Sequence, residues 1–283
     1  MLNWNSIERI VRLALEEDLG AKGDLTTSAL FGDEEWFARA AIIAREGGVL
    51  AGLELVKAVF KVLDDRIAVE PEIQNGEEFF PEQTVFSIKG SLKSVLKGER
   101  TALNFLSHLS GVATLTRKFV KEVEPFGVRI RDTRKTHPGL RLLEKEAVKI
   151  GGGENHRLGL YDGVLIKDNH LKAYADLKQA VERIRKTLPG QEIEVEVESL
   201  KQLEELLPLL PDTVMLDNFS DEEVKKAVEM IAGRAKVEVS GGMTFESLRK
   251  IASLGVDYIS LSAITMAAPP IDFSLEVVEV EKR

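Results

Sequence analysis

The chain contains no cysteine. That excludes disulfides, thiolate metal sites and thiol nucleophiles, and it fits a reducing, cytoplasmic setting. No uninterrupted apolar run approaches the length needed to span a bilayer. The opening segment, MLNWNSIERIVRLALEEDLG, lacks the basic start and small-residue cleavage site of a signal peptide. It reads as an amphipathic helix with Ile7, Ile10, Val11, Ala14 and Leu15 on one face. A basic surplus is also missing: the formal net charge is −9, which argues against general nucleic-acid binding. There is no Ser–His–Asp order and no glycine fingerprint of a dinucleotide fold. What is present is a soluble globular composition, 44% hydrophobic and 30% charged over 283 residues, enough for one large domain or two ordinary ones.

The pattern changes along the chain. Residues 1–112 mix helical stretches (5–18, 53–63) with short β-like runs and Pro/Gly punctuation, as expected of an N-terminal α+β sandwich domain. A long helical stretch, 94–123, follows. Apolar strands are then predicted at 128–132, 163–167, 192–197, 213–217, 236–240 and 257–262, alternating with helices near 139–150, 172–188, 199–208, 220–232 and 244–253. Repeated β-then-α units imply parallel strands joined by crossovers. Residues 113–269 are therefore expected to form an incomplete, open α/β barrel, with a doubly wound sheet as the alternative. The barrel is preferred because polar residues end many strands rather than clustering at one switch point. The tail, 270–283, has lost the βα rhythm and is expected to pack back on the N-terminal domain.

Functional groups of a barrel gather where its strands end. Read in order, those ends carry Arg134 and Lys135, Lys167 and Asp168, Glu196, Asp217, Ser240–Gly241–Gly242, and Ser262. The stretch RDTRKTHPGLR crowds Arg131, Arg134, Lys135, His137 and Arg141 together within an acidic protein, which points to an anionic ligand. Between Arg129 and Lys172 there are ten Lys/Arg against six Asp/Glu. Part of this is ordinary decoration: Lys145 and Lys149 are read as a solvated helix face. Arg134, Lys135 and the His156–Arg157 pair after a glycine run are not, because guanidinium forks suit carboxylates and phosphates.

In EIEVEVES, strand periodicity places Glu192, Glu194, Glu196 and Glu198 on one face. A parallel sheet covered by helices leaves that face only the barrel interior, where carboxylates need cations. Glu196 and Asp217 at the rim are candidates to hold Mg²⁺ through oxygen ligands, with the metal keeping waters and binding substrate phosphates. Ser240–Gly241–Gly242 ahead of a helix is a candidate phosphate loop. The sum is a rim for a multiply anionic small substrate, and sugar-diphosphate transfer fits it better than hydride or acyl chemistry.

The residues RDTRKTHPGLRLLEKEAVKIGGGENHRLGLYDGVLIKDNH (131–170) closely resemble the quinolinate phosphoribosyltransferases, as do EDLGAKGDLTT, GERTALNFLSHLSGVATLT, EVEVES, VMLDN and VSGG. The resemblance covers nearly the whole chain. It implies a type II phosphoribosyltransferase that converts quinolinate and phosphoribosyl pyrophosphate (PRPP) to nicotinate mononucleotide, pyrophosphate and CO₂ with Mg²⁺, on the route to NAD. By the same resemblance, Arg100, Arg134, Lys135, His156, Arg157 and Lys167 take the two carboxylates of quinolinate. Lys135 and Lys167 also touch PRPP, Glu196 and Asp217 lie by ribose and metal, and Ser240 and Gly241 belong to the 5-phosphate loop. Arg100 enters from the neighbouring subunit of a homodimer. Two positions depart from the family pattern: Ser262 stands where a glycine is usual and Met266 where a histidine is usual, which shifts the phosphate site toward backbone amides and Ser262. His108 and His170 are read as structural. The competing readings are a phosphoribosyltransferase for another carboxylated heterocycle such as nicotinate, a non-catalytic phosphoribosyl-binding protein, and a Schiff-base aldolase using Lys167.

Overall fold

The computed structural model describes residues 4–174 and 176–282. The chain divides into two compact units. One takes the residues up to Leu115, Leu142–Gly151 and the segment from Ala267 onward; the other takes Thr116–Arg141 and Gly152–Met266. The helix Arg141–Ile150, which the sequence pattern places in the βα series, thus groups almost wholly with the first unit.

The first unit is built on a four-stranded antiparallel sheet in the order Phe273–Lys282, Trp36–Ala44, Thr84–Ser91, Ala68–Pro71. Along Trp36–Ala44 burial follows the strand period of two: Ala38, Ala40, Ile42 and Ala44 are buried while Arg39 is exposed. The tail supplies the edge strand beside it. The helix Leu53–Leu63 buries Leu55, Val56, Val59 and Phe60. The helix Trp4–Leu19 packs on it and buries Ile7, Val11 and Leu15, every fourth residue of the expected apolar face. Gly111, in the long helix Leu92–Val123, lets the returning tail cross closely: a Cβ there would sit 2.2 Å from the Pro269 carbonyl oxygen.

One expectation fails here. Lys145 is 1% exposed and its neighbour Glu144 is 0% exposed, so this is not a solvated face, whereas Lys149 is exposed. The helix Arg141–Ile150 is covered on more than one side, with Leu143, Ala147 and Val148 buried as well. The spacing of its apolar residues marks only one of those sides. His108 Nε2 lies 2.8 Å from Glu144 Oε1.

The second unit carries six parallel strands: Arg129–Arg131, Val164–Ile166, Ile193–Val197, Thr213–Asp217, Lys236–Ser240 and Tyr258–Ser260. Numbered in chain order, they are arranged 1-6-5-4-3-2. Consecutive strands from the second to the sixth are neighbours, and the first returns to pair with the sixth. That curls the sheet into a barrel with one open seam, rather than a doubly wound sheet with a switch point. At the seam, Glu154 bridges to Arg131 instead of a full ladder forming.

The helices begin where the sequence supplies caps. The Ser199 side chain accepts from the Gln202 amide, and Ser220 forms a reciprocal capping box with Glu223. The stretch 172–188, expected as one helix, holds the end of Asp168–Tyr174 and then Leu177–Thr187, whose N-cap Asp176 accepts from the Gln179 amide. No helix among the described residues is long and apolar enough to cross a membrane.

Candidate active site

Strand length decides which glutamates point inward. The third barrel strand covers only Ile193–Val197, so Glu194 and Glu196 lie on the interior face, while Glu192 and Glu198 fall beyond its ends and are exposed. The expectation of four inward glutamates is corrected to two. The fifth strand adds a third interior acid, Glu238, which is 0% exposed. Each inward acid has a cation, as the cost of burying an unpaired charge requires.

Two layers result. In the deeper one, Glu238 is paired with Arg131 Nη1 at 2.7 Å and accepts the Ser260 hydroxyl. The Arg131 guanidinium also lies 3.2 Å from the centre of the Tyr258 ring. His156 Nε2 sits 2.9 Å from Glu194 Oε2 and 3.7 Å from Glu238 Oε1. Burial disfavours the His156 charge, but the Glu194 hydrogen bond and the fields of both acids outweigh it and raise its pKa. Its Nδ1 meanwhile accepts the Arg157 amide at 2.8 Å, a contact that a second ring proton must break. Glu238 is raised as well, first by burial and then by Glu194. Removing Glu238 strands the largely buried Arg131 charge. Glu238→Ala is therefore expected to cost about 3 kcal/mol of folding stability, read as a lower denaturation midpoint at unchanged m-value.

The upper layer is the rim. Lys167 at the end of the second strand is ion-paired with Glu196 at the end of the third, which is 8% exposed. Asp217 ends the fourth strand. Its pKa is raised, first by burial and then by the negative charge of Glu196, against the pull of Lys167 and Lys135. Those four groups, two cations and two carboxylates, therefore act on one another in one place. Arg157 feels its own burial first and then the charge of Arg134, and both lower its pKa. Two guanidinium groups are thus held close enough to repel. Asp168, by contrast, is engaged by Lys172 at 2.6 Å and takes no part.

The cationic stretch 131–141 sorts into two kinds. Arg131 serves the interior pair just described. Arg141 clips its own loop: its guanidinium donates to Thr136 Oγ1, the Arg134 carbonyl and the Leu158 carbonyl at 3.1, 3.2 and 3.3 Å. Thr265 Oγ1 adds a hydrogen bond to the Lys135 carbonyl at 2.7 Å. The backbone of Arg134 and Lys135 is thus held through both carbonyls. Arg134 is half-buried and Lys135 exposed.

Ser240 ends its strand in register with Asp217. Gly241 and Gly242 follow with φ of 95° and 55°, ahead of the helix Phe245–Ala252. Such a turn presents backbone amides. Ser262 follows the sixth strand and accepts the Met266 amide on its carbonyl at 2.9 Å; Met266 is exposed. Arg100 lies exposed on the helix Leu92–Val123 in the first unit. His170 Nδ1 accepts the Lys167 amide at 3.0 Å, a structural role.

Comparison with known families is decisive. Residues 24–110 match the N-terminal domain, and residues 112–276 the C-terminal domain, of quinolinate phosphoribosyl transferase. The chain belongs to this family. A probable nicotinate-nucleotide pyrophosphorylase (carboxylating) of Bacillus subtilis is 37% identical over 98% of this chain and 95% of its own length. Its counterpart in Synechocystis is 39% identical over 97% and 94%. The solved nicotinate-nucleotide pyrophosphorylase of Francisella tularensis superposes with a TM-score of 0.92 at 39% identity, covering 98% of each chain.

The sequence pattern assigns no role to Glu238, which pairs with Arg131, or to Thr265, which holds the Lys135 carbonyl. Glu238 carried the same signal as Glu196, a charge in mid-strand of a parallel sheet. Thr265 acts through a contact to a residue distant in sequence, for which no local pattern exists.

Proposed function

We propose that the chain transfers the phosphoribosyl group of PRPP to quinolinate, with loss of CO₂, giving nicotinate mononucleotide and pyrophosphate for NAD biosynthesis. The observation that carries this reading is the rim of a chain of this family, where Lys167 is ion-paired with Glu196, Asp217 feels both, and Arg157 feels the charges of Arg134 and Glu196. Two close guanidinium groups are relieved by a dianion, and quinolinate is a planar dicarboxylate. Lys135 and Lys167 complete its surroundings, and His156 lies in the layer below, paired with Glu194.

The chemistry follows from where the charges sit. As the bond from C1 of ribose to pyrophosphate breaks, positive charge grows on the sugar and is met by the carboxylates of Glu196 and Asp217. Lys135 and Lys167 neutralise the departing diphosphate. The pyridine nitrogen attacks C1 and becomes cationic. The bond to the 2-carboxylate then breaks, its electron pair stays on the ring carbon beside that nitrogen, and a proton from solvent replaces the lost CO₂. No covalent enzyme intermediate is needed, so the chain contributes positioning and charge.

Glu196 and Asp217 also suit Mg²⁺. They are oxygen donors close enough that the Glu196 charge, after burial, helps raise the Asp217 pKa, and hard oxygen donors at such a spacing are what Mg²⁺ takes. Bound there, the metal would help neutralise the diphosphate. Ser240, Gly241, Gly242 and Ser262 are assigned to the 5-phosphate. Arg100 is assigned to the neighbouring site of a homodimer, and the absence of cysteine suits a cytoplasmic location.

The aldolase reading is disfavoured because the Lys167 amine is engaged by Glu196. The test is an Mg²⁺-dependent assay with PRPP and either quinolinate or nicotinate, following nicotinate mononucleotide and CO₂. Turnover of quinolinate alone is expected. Turnover of nicotinate, or ligand binding without consumption, would overturn the proposal.

A further inference from the structure

At the end of the fourth barrel strand the chain turns sharply at Asn218, whose φ of 56° lies in the left-handed region. Asparagine enters that region more readily than most residues with a side chain. The turn gives this one residue three contacts. Its Nδ2 donates to Asp217 Oδ2 at 3.0 Å. Its backbone N–H donates to the Ser240 carbonyl at 2.9 Å. Its Oδ1 lies over Gly241 so closely that a Cβ on that glycine would sit 2.2 Å away. Asn218 therefore touches both the rim acid and the glycine turn that follows the neighbouring strand.

We propose that Asn218 is the positioning residue for the phosphoribosyl donor. It ties the Asp217 carboxylate to the Ser240–Gly241–Gly242 turn, so that the group facing the sugar and the turn facing its 5-phosphate keep one spacing. This rests on the phosphoribosyl-transfer reading above. The physical reason lies in the charges around Asp217. Lys135 and Lys167 both pull on it and Glu196 pushes, so an unheld carboxylate would swing toward a lysine and be neutralised. The Asn218 amide opposes that collapse by holding Oδ2. Because the same side chain rests on Gly241, any movement of the acid also moves the turn. Asn218 itself is exposed, so its removal leaves no cavity in the core.

The test uses two variants of the full chain. Asn218→Asp keeps the shape but replaces the amide donor with a second carboxylate, and Asn218→Gly keeps the left-handed turn without any side chain. For both, Kd and KM for PRPP are expected to rise by about tenfold to a hundredfold, with quinolinate affinity and Tm close to wild type. Calorimetric titration of PRPP with Mg²⁺ gives a readout independent of turnover. Unchanged PRPP affinity in both variants would overturn the role of Asn218. So would an equal loss of quinolinate affinity together with a lower Tm, which would mark a merely structural residue. Failure of the wild-type chain to bind PRPP would defeat the functional reading itself, and this proposal with it.

Discussion

Glu196→Gln is expected to lower kcat/KM for PRPP by about three orders of magnitude, at the upper end for loss of one preorganised electrostatic group. The substitution preserves shape and removes only charge. Three consequences coincide. The carboxylate facing the developing positive charge on ribose is lost, one of the two oxygen donors proposed for Mg²⁺ becomes neutral, and Lys167 loses its ion-pair partner. Asp217 would be relieved of the Glu196 charge that helps raise its pKa and would ionise more readily, but the rim would still carry one carboxylate in place of two. Steady-state kinetics with PRPP varied at saturating quinolinate measures the effect. Activity within tenfold of wild type would show that Glu196 serves only to pair Lys167.

Arg134→Ala is expected to separate function from stability. Arg134 and Arg157 repel, so truncating one removes an unfavourable interaction from the free protein, and Tm should stay level or rise slightly. The loop should not move, because its backbone is held from outside by Arg141 and Thr265. Turnover of quinolinate should nevertheless fall by about a hundredfold, the equivalent of ~3 kcal/mol for a charged hydrogen-bonded pair. Thermal unfolding and kcat/KM measured on the same preparation decide the matter. If turnover hardly changes, the second carboxylate is not recognised here and a monocarboxylate such as nicotinate becomes the better substrate. If Tm drops in step with activity, the pair is held for the fold and not for a ligand.

Much of this protein was legible before any coordinates. Thr213–Asp217 and Lys236–Ser240 were read from the sequence with the bounds they have in the structure. Both are short runs of branched apolar residues between capped helices, and such runs announce themselves locally. The rim residues followed from the same reasoning, since a βα unit puts its functional groups where each strand ends. The acids at 194 and 196 were placed inside the barrel because a charge in a strand covered on its outer face has nowhere else to point.

What could not be read was the partner of each charged side chain. Arg131, Arg134, Lys135 and Arg141 look alike in the sequence, yet Arg131 stacks on Tyr258 and pairs with Glu238, whereas Arg141 clips its own loop. Lys145 reads as surface by its spacing and is buried. Asn218 meets Gly241 only because the fourth and fifth strands lie side by side in the register Asp217 to Ser240. The sequence by itself determined the element types, their order and the ends at which chemistry collects, because these depend on hydrogen bonding and burial among near neighbours. Only the tertiary structure decided which cation meets which acid. A long side chain reaches several ångströms from its backbone, and what it finds there depends on the strand packed beside it, not on the residues next to it in the chain.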